Sequence, residues 1–137
     1  MTAEVPPDIL LAQVSTAATS VRGEWRIGWR VTNNRAEKLV ISSARLPHGQ
    51  FKSEEIFFQP AIELPGGKNF SFGANVHCDE PAGLVTENAF VIFYVHWLGG
   101  PWRIYVRIRV TISSKGEPET ATELITTQKV GFSGMAQ

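Results

Sequence analysis

The chain of 137 residues holds one cysteine, Cys78, and therefore no internal disulfide. A fold without staples has to close on its own apolar core, and one domain of this length can do so. A lone thiol also fits a reducing compartment. Long apolar runs are missing too: no stretch approaches the roughly 18 apolar residues that a membrane span needs. The opening MTAEVPPDIL has neither the basic start nor the apolar centre of a secretory signal. These absences predict a cytoplasmic protein with no membrane partner. Charged residues make up 19% of the chain and cancel overall, while Ile9–Lys115 carries twelve Lys and Arg against eight Asp and Glu, a surplus of four. That surplus is far from the strongly basic balance of a nucleic-acid binder, so no nucleic-acid partner is expected.

Helical periodicity is absent as well. What the chain has instead is turn signals every ten or so residues, separating segments that alternate with a period of two. Ile9 to Ser20 is rich in β-branched and small residues. In Trp25 to Thr32, Trp25, Ile27, Trp29 and Val31 face one way and Arg26, Gly28 and Arg30 the other, up to a turn at Asn33-Asn34 that tolerates left-handed backbone. A third strand runs from Lys38 to about Leu46. Phe51 to Leu64 contains Pro60, which cannot donate to a ladder and so predicts a sheet edge or a split strand. After Pro65-Gly66-Gly67, Phe70, Phe72, Ala74, Val76 and Cys78 alternate with polar residues, and a loop over Asp79 to Asn88 leads to a hairpin over Phe90 to Val110.

Seven short strands, with an eighth available near the C-terminus, predict an all-β, antiparallel β-sandwich over residues 9–115. A flexible N-terminal arm, 1–8, would precede it and an extension, 116–137, follow it. The segment WRIGWRVTNNRAEKLVISS, Trp25 to Ser43, resembles the B and C strands of bacterial immunoglobulin-like domains. That resemblance implies an immunoglobulin-like sandwich and a superfamily whose members are mostly adhesive or scaffolding.

The hairpin carries the strongest hint of use. Centring its turn on Gly99-Gly100 pairs Leu98 with Pro101 and places Val91, Phe93, Val95, Trp97, Trp102, Ile104, Val106 and Ile108 on the core face. The other face then pairs His96 with Arg103, Tyr94 with Tyr105, Ile92 with Arg107 and Phe90 with Arg109. Arginine stems covering apolar neighbours would be ordinary surface structure. An exposed row of Phe90, Ile92 and Tyr94 beside arginines is instead the composition enriched at interaction sites. The predicted function is non-enzymatic binding of a protein partner or of further copies of this chain.

Two other classes stay open. Exposed Trp and Tyr can stack on sugar rings, which allows a carbohydrate or small-ligand module; with Trp97 and Trp102 on the core face, Tyr94 and Tyr105 are left for that role. His77-Cys78-Asp79-Glu80 holds four groups a hydrolytic or metal-dependent enzyme could use. On a strand, however, neighbours point to opposite faces, and no further ligand sits at a metal-site spacing from them. A buried free cysteine flanked by surface polar residues is the expected arrangement, with no metal and no cofactor. Gly66-Gly67 and Gly99-Gly100 lie between strands, without the helix that a phosphate-cradling loop requires.

The C-terminal segment ELITTQKVGF regains strand formers after a linker-like Gly116-Glu117-Pro118-Glu119. Leu124, Ile125, Thr126 and Val130 would form either an eighth strand on the same domain or an assembly strand. In the second case Glu117 to Thr122 would span roughly 20 Å at about 3.3 Å per extended residue, enough to reach a neighbouring copy.

Overall fold

A computed structural model describes residues 4–131 of the chain. Its eight strands are β1 (Ile9–Ala18), β2 (Glu24–Asn33), β3 (Leu39–His48), β4 (Phe51–Leu64), β5 (Asn69–His77), β6 (Val85–Trp97), β7 (Gly100–Ile112) and β8 (Pro118–Lys129). Residues 1–3 and 132–137, and with them the outer ends of the arm and extension, lie outside the described residues. No helix among the described residues is long and apolar enough to cross a membrane.

All eight strands are antiparallel and belong to one sheet, ordered β1-β2-β5-β4-β3-β6-β7-β8, that curls into a nearly closed barrel. The expected pair of separate sheets is thereby corrected. β4 pairs along β3 from Leu64 opposite Leu39 to Phe51 opposite His48, and still meets β5 at Lys52 opposite His77, so the two halves stay joined.

Two seams remain. Between β1 and β8, the Gln13 side-chain amide stands in for a strand: Nε2 donates to the Pro118 carbonyl at 3.0 Å and Oε1 accepts from the Thr120 N–H at 2.9 Å. Between β4 and β5 there is no backbone pairing past Lys52, and Phe58 fills the gap edge-on to Phe70 and Phe72, with ring centroids 5.7 and 5.4 Å away. Pro60 lies on this open edge and within residues 58–61, where the pairing with β3 is also interrupted, so both the edge and the split foreseen from its missing N–H are present.

The core follows from the alternation. Ile27, Trp29 and Val31 from β2, Ile41 and Leu46 from β3, Val91, Phe93 and Trp97 from β6 and Ile104, Val106 and Ile108 from β7 are all buried. Trp29 meets Phe51 edge to face at 6.3 Å, an arrangement aromatic quadrupoles favour. Asn33, expected as a left-handed turn residue, is instead buried with ordinary backbone. Its Nδ2 donates to the Glu37 and Leu64 carbonyls at 2.8 and 3.1 Å while Oδ1 accepts from the Arg35 N–H at 2.9 Å, tying two turns together. The neighbouring turn also requires Gly66, where any Cβ would overlap the Ala36 carbonyl.

The chain ends are more engaged than a flexible arm and a linker. Trp97 Nε1 donates to the Val5 carbonyl at 2.8 Å, Arg35 Nε donates to the Pro6 carbonyl at 3.0 Å, and Pro7 is buried, so residues 4–8 are held against the barrel. β6 begins inside the expected loop, at Val85. β8 begins at Pro118, inside the expected linker, and pairs with β7 of its own chain from Pro118 opposite Ile112 to Lys129 opposite Trp102. Of the two uses foreseen for this segment, the within-chain strand is the one present, because β7 would otherwise carry an unpaired edge of 13 residues.

Deleting residues from Gly116 onward strips that edge and uncovers the core beside buried Pro118 and half-buried Ile125. Thermal unfolding of the truncated monomer should show a loss of at least about 2 kcal/mol, the order of one buried aliphatic side chain. An unchanged melting temperature would contradict the within-chain role.

Candidate functional site

The hairpin of β6 and β7 turns at Leu98-Gly99, both in left-handed backbone with φ of 47° and 81°. A two-residue turn of this kind matches the twist of its flanking strands. It places Trp97 opposite Gly100, correcting the expected Leu98–Pro101 pair. Because one strand has slid by two residues, an even number, each face keeps its members and only the partners change. On the outer face, Tyr94 now opposes Arg103, Ile92 opposes Tyr105, Phe90 opposes Arg107 and His96 opposes Pro101. Arg109 lies past a bulge in β6 and faces Ala121 of β8 instead of Phe90.

The residues of this face are less exposed than the alternation alone suggests. Phe90, Ile92, Tyr94, Arg103, Tyr105 and Arg107 are half-buried, while His96 and Arg109 are exposed. The arginine side chains account for part of this cover. The Arg103 guanidinium carbon lies 4.9 Å from the centre of the Tyr94 ring, within cation–π range. Hydrogen bonding to Tyr105 raises Arg103 above the ordinary guanidinium value, with burial opposing it, so the cation persists at every working pH. Tyr105 Oη is hydrogen-bonded to Gln128 Oε1 at 3.1 Å, and Arg109 makes a long, solvent-exposed ion pair with Glu123 at 3.9 Å.

Strand order extends the patch beyond the hairpin. One row crosses the sheet from Phe57 on β4 through Ser43, Tyr94 and Arg103 to Gln128. Ser43 is small and buried, its Oγ donating to Glu55 Oε2 at 2.8 Å, and Ser42 donates to the Tyr94 carbonyl at 2.9 Å. The two serines and Glu55 thus lie between the rings of Phe57 and Tyr94, in an open depression of about 570 Å³. Phe57, 64% exposed, belongs to this surface and was not singled out from the sequence. Alternation with half-buried Ile56 and Phe58 could have found it. Leu124 and Thr126 of β8 border the same face beside Arg107 and Tyr105, whereas Ile125 points to the interior. Val130, past the end of β8, is half-buried and donates its N–H to the Pro101 carbonyl at 2.9 Å.

A second concavity, about 460 Å³, opens at the hairpin tip, lined by Val5, Trp97, Pro101, Trp102, Lys129 and Val130 among others. Lys129 Nζ and Glu4 pair across it.

His77, Cys78, Asp79 and Glu80 divide as the strand geometry requires. Cys78 is 3% exposed, its N–H donating to the Gly23 carbonyl at 2.7 Å and its carbonyl accepting from Trp25 Nε1 at 2.9 Å, while His77 and Asp79 are exposed. Burial, then the charges of Glu80 and Asp79, push the thiol up to about 11. A thiol held neutral at physiological pH is a poor nucleophile and a poor ligand. Among the described residues, no three His, Cys, Asp or Glu side chains are grouped to hold a metal ion.

The folded protein keeps the Cys78 proton to a higher pH than the unfolded chain does, so stability present below pH ~8.5 falls as pH rises towards 11. A shift of about two units corresponds to a loss of about 2–3 kcal/mol. Denaturant titrations of wild type and Cys78→Ala between pH 8 and 11 should show this decline in the wild type only. Equal slopes would show that the thiol titrates as an ordinary one. The sequence matches no protein-family model and no curated protein.

Proposed function

We propose that the protein is a non-enzymatic binding module whose outer β6–β7 face docks on another protein or on further copies of the chain. The observation that carries this reading is the row of Phe90, Ile92 and Tyr94 on a strand in the middle of the sheet, half-buried but, among the described residues, uncovered by any other element, with arginines alongside. Rings that are rigid and partly desolvated lose little entropy on docking, and Arg beside them supplies orientation. The depression between Tyr94 and Phe57 gives a partner's side chain somewhere to enter. With Arg103, Arg107 and Arg109 on the face, a partner carrying acidic groups fits best, and its binding weakens with salt.

An immunoglobulin-like assignment belongs to the same proposal. Its support is strand order: lettered A to G, β1 to β7 lie side by side as A-B-E-D-C-F-G. Immunoglobulin sandwiches have A-B-E-D in one sheet and C-F-G in the other. Here the fourth strand pairs with the third at both ends and at Ile56–Phe57, with register shifts between these stretches, and meets the fifth at one position, and β8 adds a further strand beside the seventh.

A photoreactive residue at position 92 should cross-link to one partner, and Ile92→Asp or Tyr94→Ala should weaken binding to that purified partner at least tenfold while leaving the melting temperature nearly unchanged. Phe93→Ala, from the core face of the same strand, should instead cost roughly 2–5 kcal/mol of stability. If Ile92→Asp proves as destabilising as Phe93→Ala, the outer face is a folding element and the proposal fails.

The cleft at the hairpin tip favours one second reading, a small-ligand module. Its volume lies in the range of ligand sites, and Trp97 and Trp102 line it. Titration with cellobiose or indole, followed by tryptophan fluorescence, should then give saturable changes that Trp102→Ala abolishes; a flat titration with both removes this reading.

A further inference from the structure

We infer that the depression between Phe57 and Tyr94 is a site for an arginine side chain of the docking partner. The inference rests on the β6–β7 reading and adds the chemistry of the group that enters there. The depression forms where the β3–β4 ladder breaks: Ile41 opposes Ile62 and Ser43 opposes Phe57, so residues 58–61 of β4 have no ladder partner on β3. An interruption of this kind re-aims the side chains beside it. Here Phe57, 64% exposed, is one wall, Tyr94 is the other, and two serines lie between them.

The spacing and the polar lining together select a planar cation. The walls come from strands two apart, β4 and β6, with Ser43 of β3 in the same row. Strands about 4.8 Å apart put the two wall backbones about 10 Å from each other. A flat group touching both rings needs roughly 7–8 Å between them, which this spacing allows. Aromatic faces are electronegative, and a guanidinium stacks on them. Ser43 Oγ commits its proton to Glu55 Oε2 at 2.8 Å, and Ser42 Oγ commits its own to the Tyr94 carbonyl at 2.9 Å. Lone pairs are what both hydroxyls have left to offer. Glu55 is in no ion pair among the described residues. Among those residues no Lys, Arg or His lines the depression, and Arg103 reaches the Tyr94 ring from β7, on the other side of β6 from Ser43. The Gln59 amide and the Tyr94 hydroxyl are the remaining side-chain donors of the lining. An arginine brings five donors in one plane and no acceptor, the complement of such a lining. Past Phe57, the neighbouring depression includes Arg45 and Lys52, and Arg103 and Arg107 lie along β7. The partner that matches is a segment whose arginine is flanked by acidic residues.

Titration of the full chain with Nα-acetyl-arginine N-methylamide, followed by amide resonances, should give saturable shifts centred on Ser43, Glu55 and Phe57. The Kd should be roughly millimolar, as for a ligand of so few atoms. The capped citrulline, similar in shape without the charge, should bind at least about tenfold more weakly, and the capped lysine should also bind more weakly. Glu55→Gln and Phe57→Ala should each weaken arginine binding about fivefold or more while keeping the melting temperature. Citrulline or lysine binding as tightly as arginine, shifts that spread over the surface without saturating, or wild-type binding by Glu55→Gln would overturn the inference. Absence of capped-arginine binding while Ile92→Asp still weakens the purified partner overturns this inference and leaves the docking reading standing. Capped-arginine binding together with a partner indifferent to Ile92→Asp supports the site and overturns the docking reading.

Discussion

A β-sheet has edges, and the architecture of this protein is set by how its edges are dealt with. Curling brings β1 next to β8, where Gln13 supplies one donor and one acceptor in the spacing of a peptide group. That amide, together with Thr122 Oγ1 donating to the Leu11 carbonyl at 3.4 Å, bridges two strands that share no backbone ladder. At the second seam no polar group is offered, and Phe58, Phe70 and Phe72 pack into the opening instead. A polar seam keeps its strands in fixed register, because both hydrogen bonds are lost together if either strand slides. An aromatic seam fills space without specifying backbone partners, which leaves the edge of β4 free.

The outer face of the hairpin illustrates how charge and apolar surface share one strand. Arg103 over Tyr94 and Tyr105 beside Gln128 give each ring a polar neighbour, so the patch is compatible with water in the free protein. The same contacts are individually weak, of order 0.5–1 kcal/mol when exposed, and can be exchanged for contacts with a partner at little cost. The core face of the same strands has no such freedom. Its side chains are close-packed from both sides of the barrel, and changes there are felt as strain or as cavities.

At the opposite margin of β5, the cluster with the most obvious chemical groups is organised for structure. Trp25 and Gly23 bind the Cys78 backbone, and Arg22 lies 3.7 Å from Asp79 at the surface. Burial together with two neighbouring carboxylates disfavours the thiolate, whereas a reactive cysteine needs a cation or a base beside it.

Much of the fold was legible because the period of two is a local property of the chain. Side chains on a strand alternate whatever the strand pairs with, so Trp29 and Val31, Phe93 and Val95, Ile104 and Val106 could be placed in the core from spacing alone. The membership of the hairpin's outer face was legible for the same reason and survived a turn placed two residues away. Partners across that face were not, because they depend on Leu98 and Gly99 both taking left-handed backbone, and Leu98 carries no mark of it. Asn33 signalled a turn, but its use as a buried bridge requires Leu64, 31 residues away. Gln13 looks like any polar residue of an edge strand until Pro118, 105 residues later, is brought beside it. The sequence by itself determined which side chains face inward. Tertiary structure decided which strands became neighbours, how the seams closed and which edge stayed open, since those outcomes depend on groups that meet only when the sheet has curled.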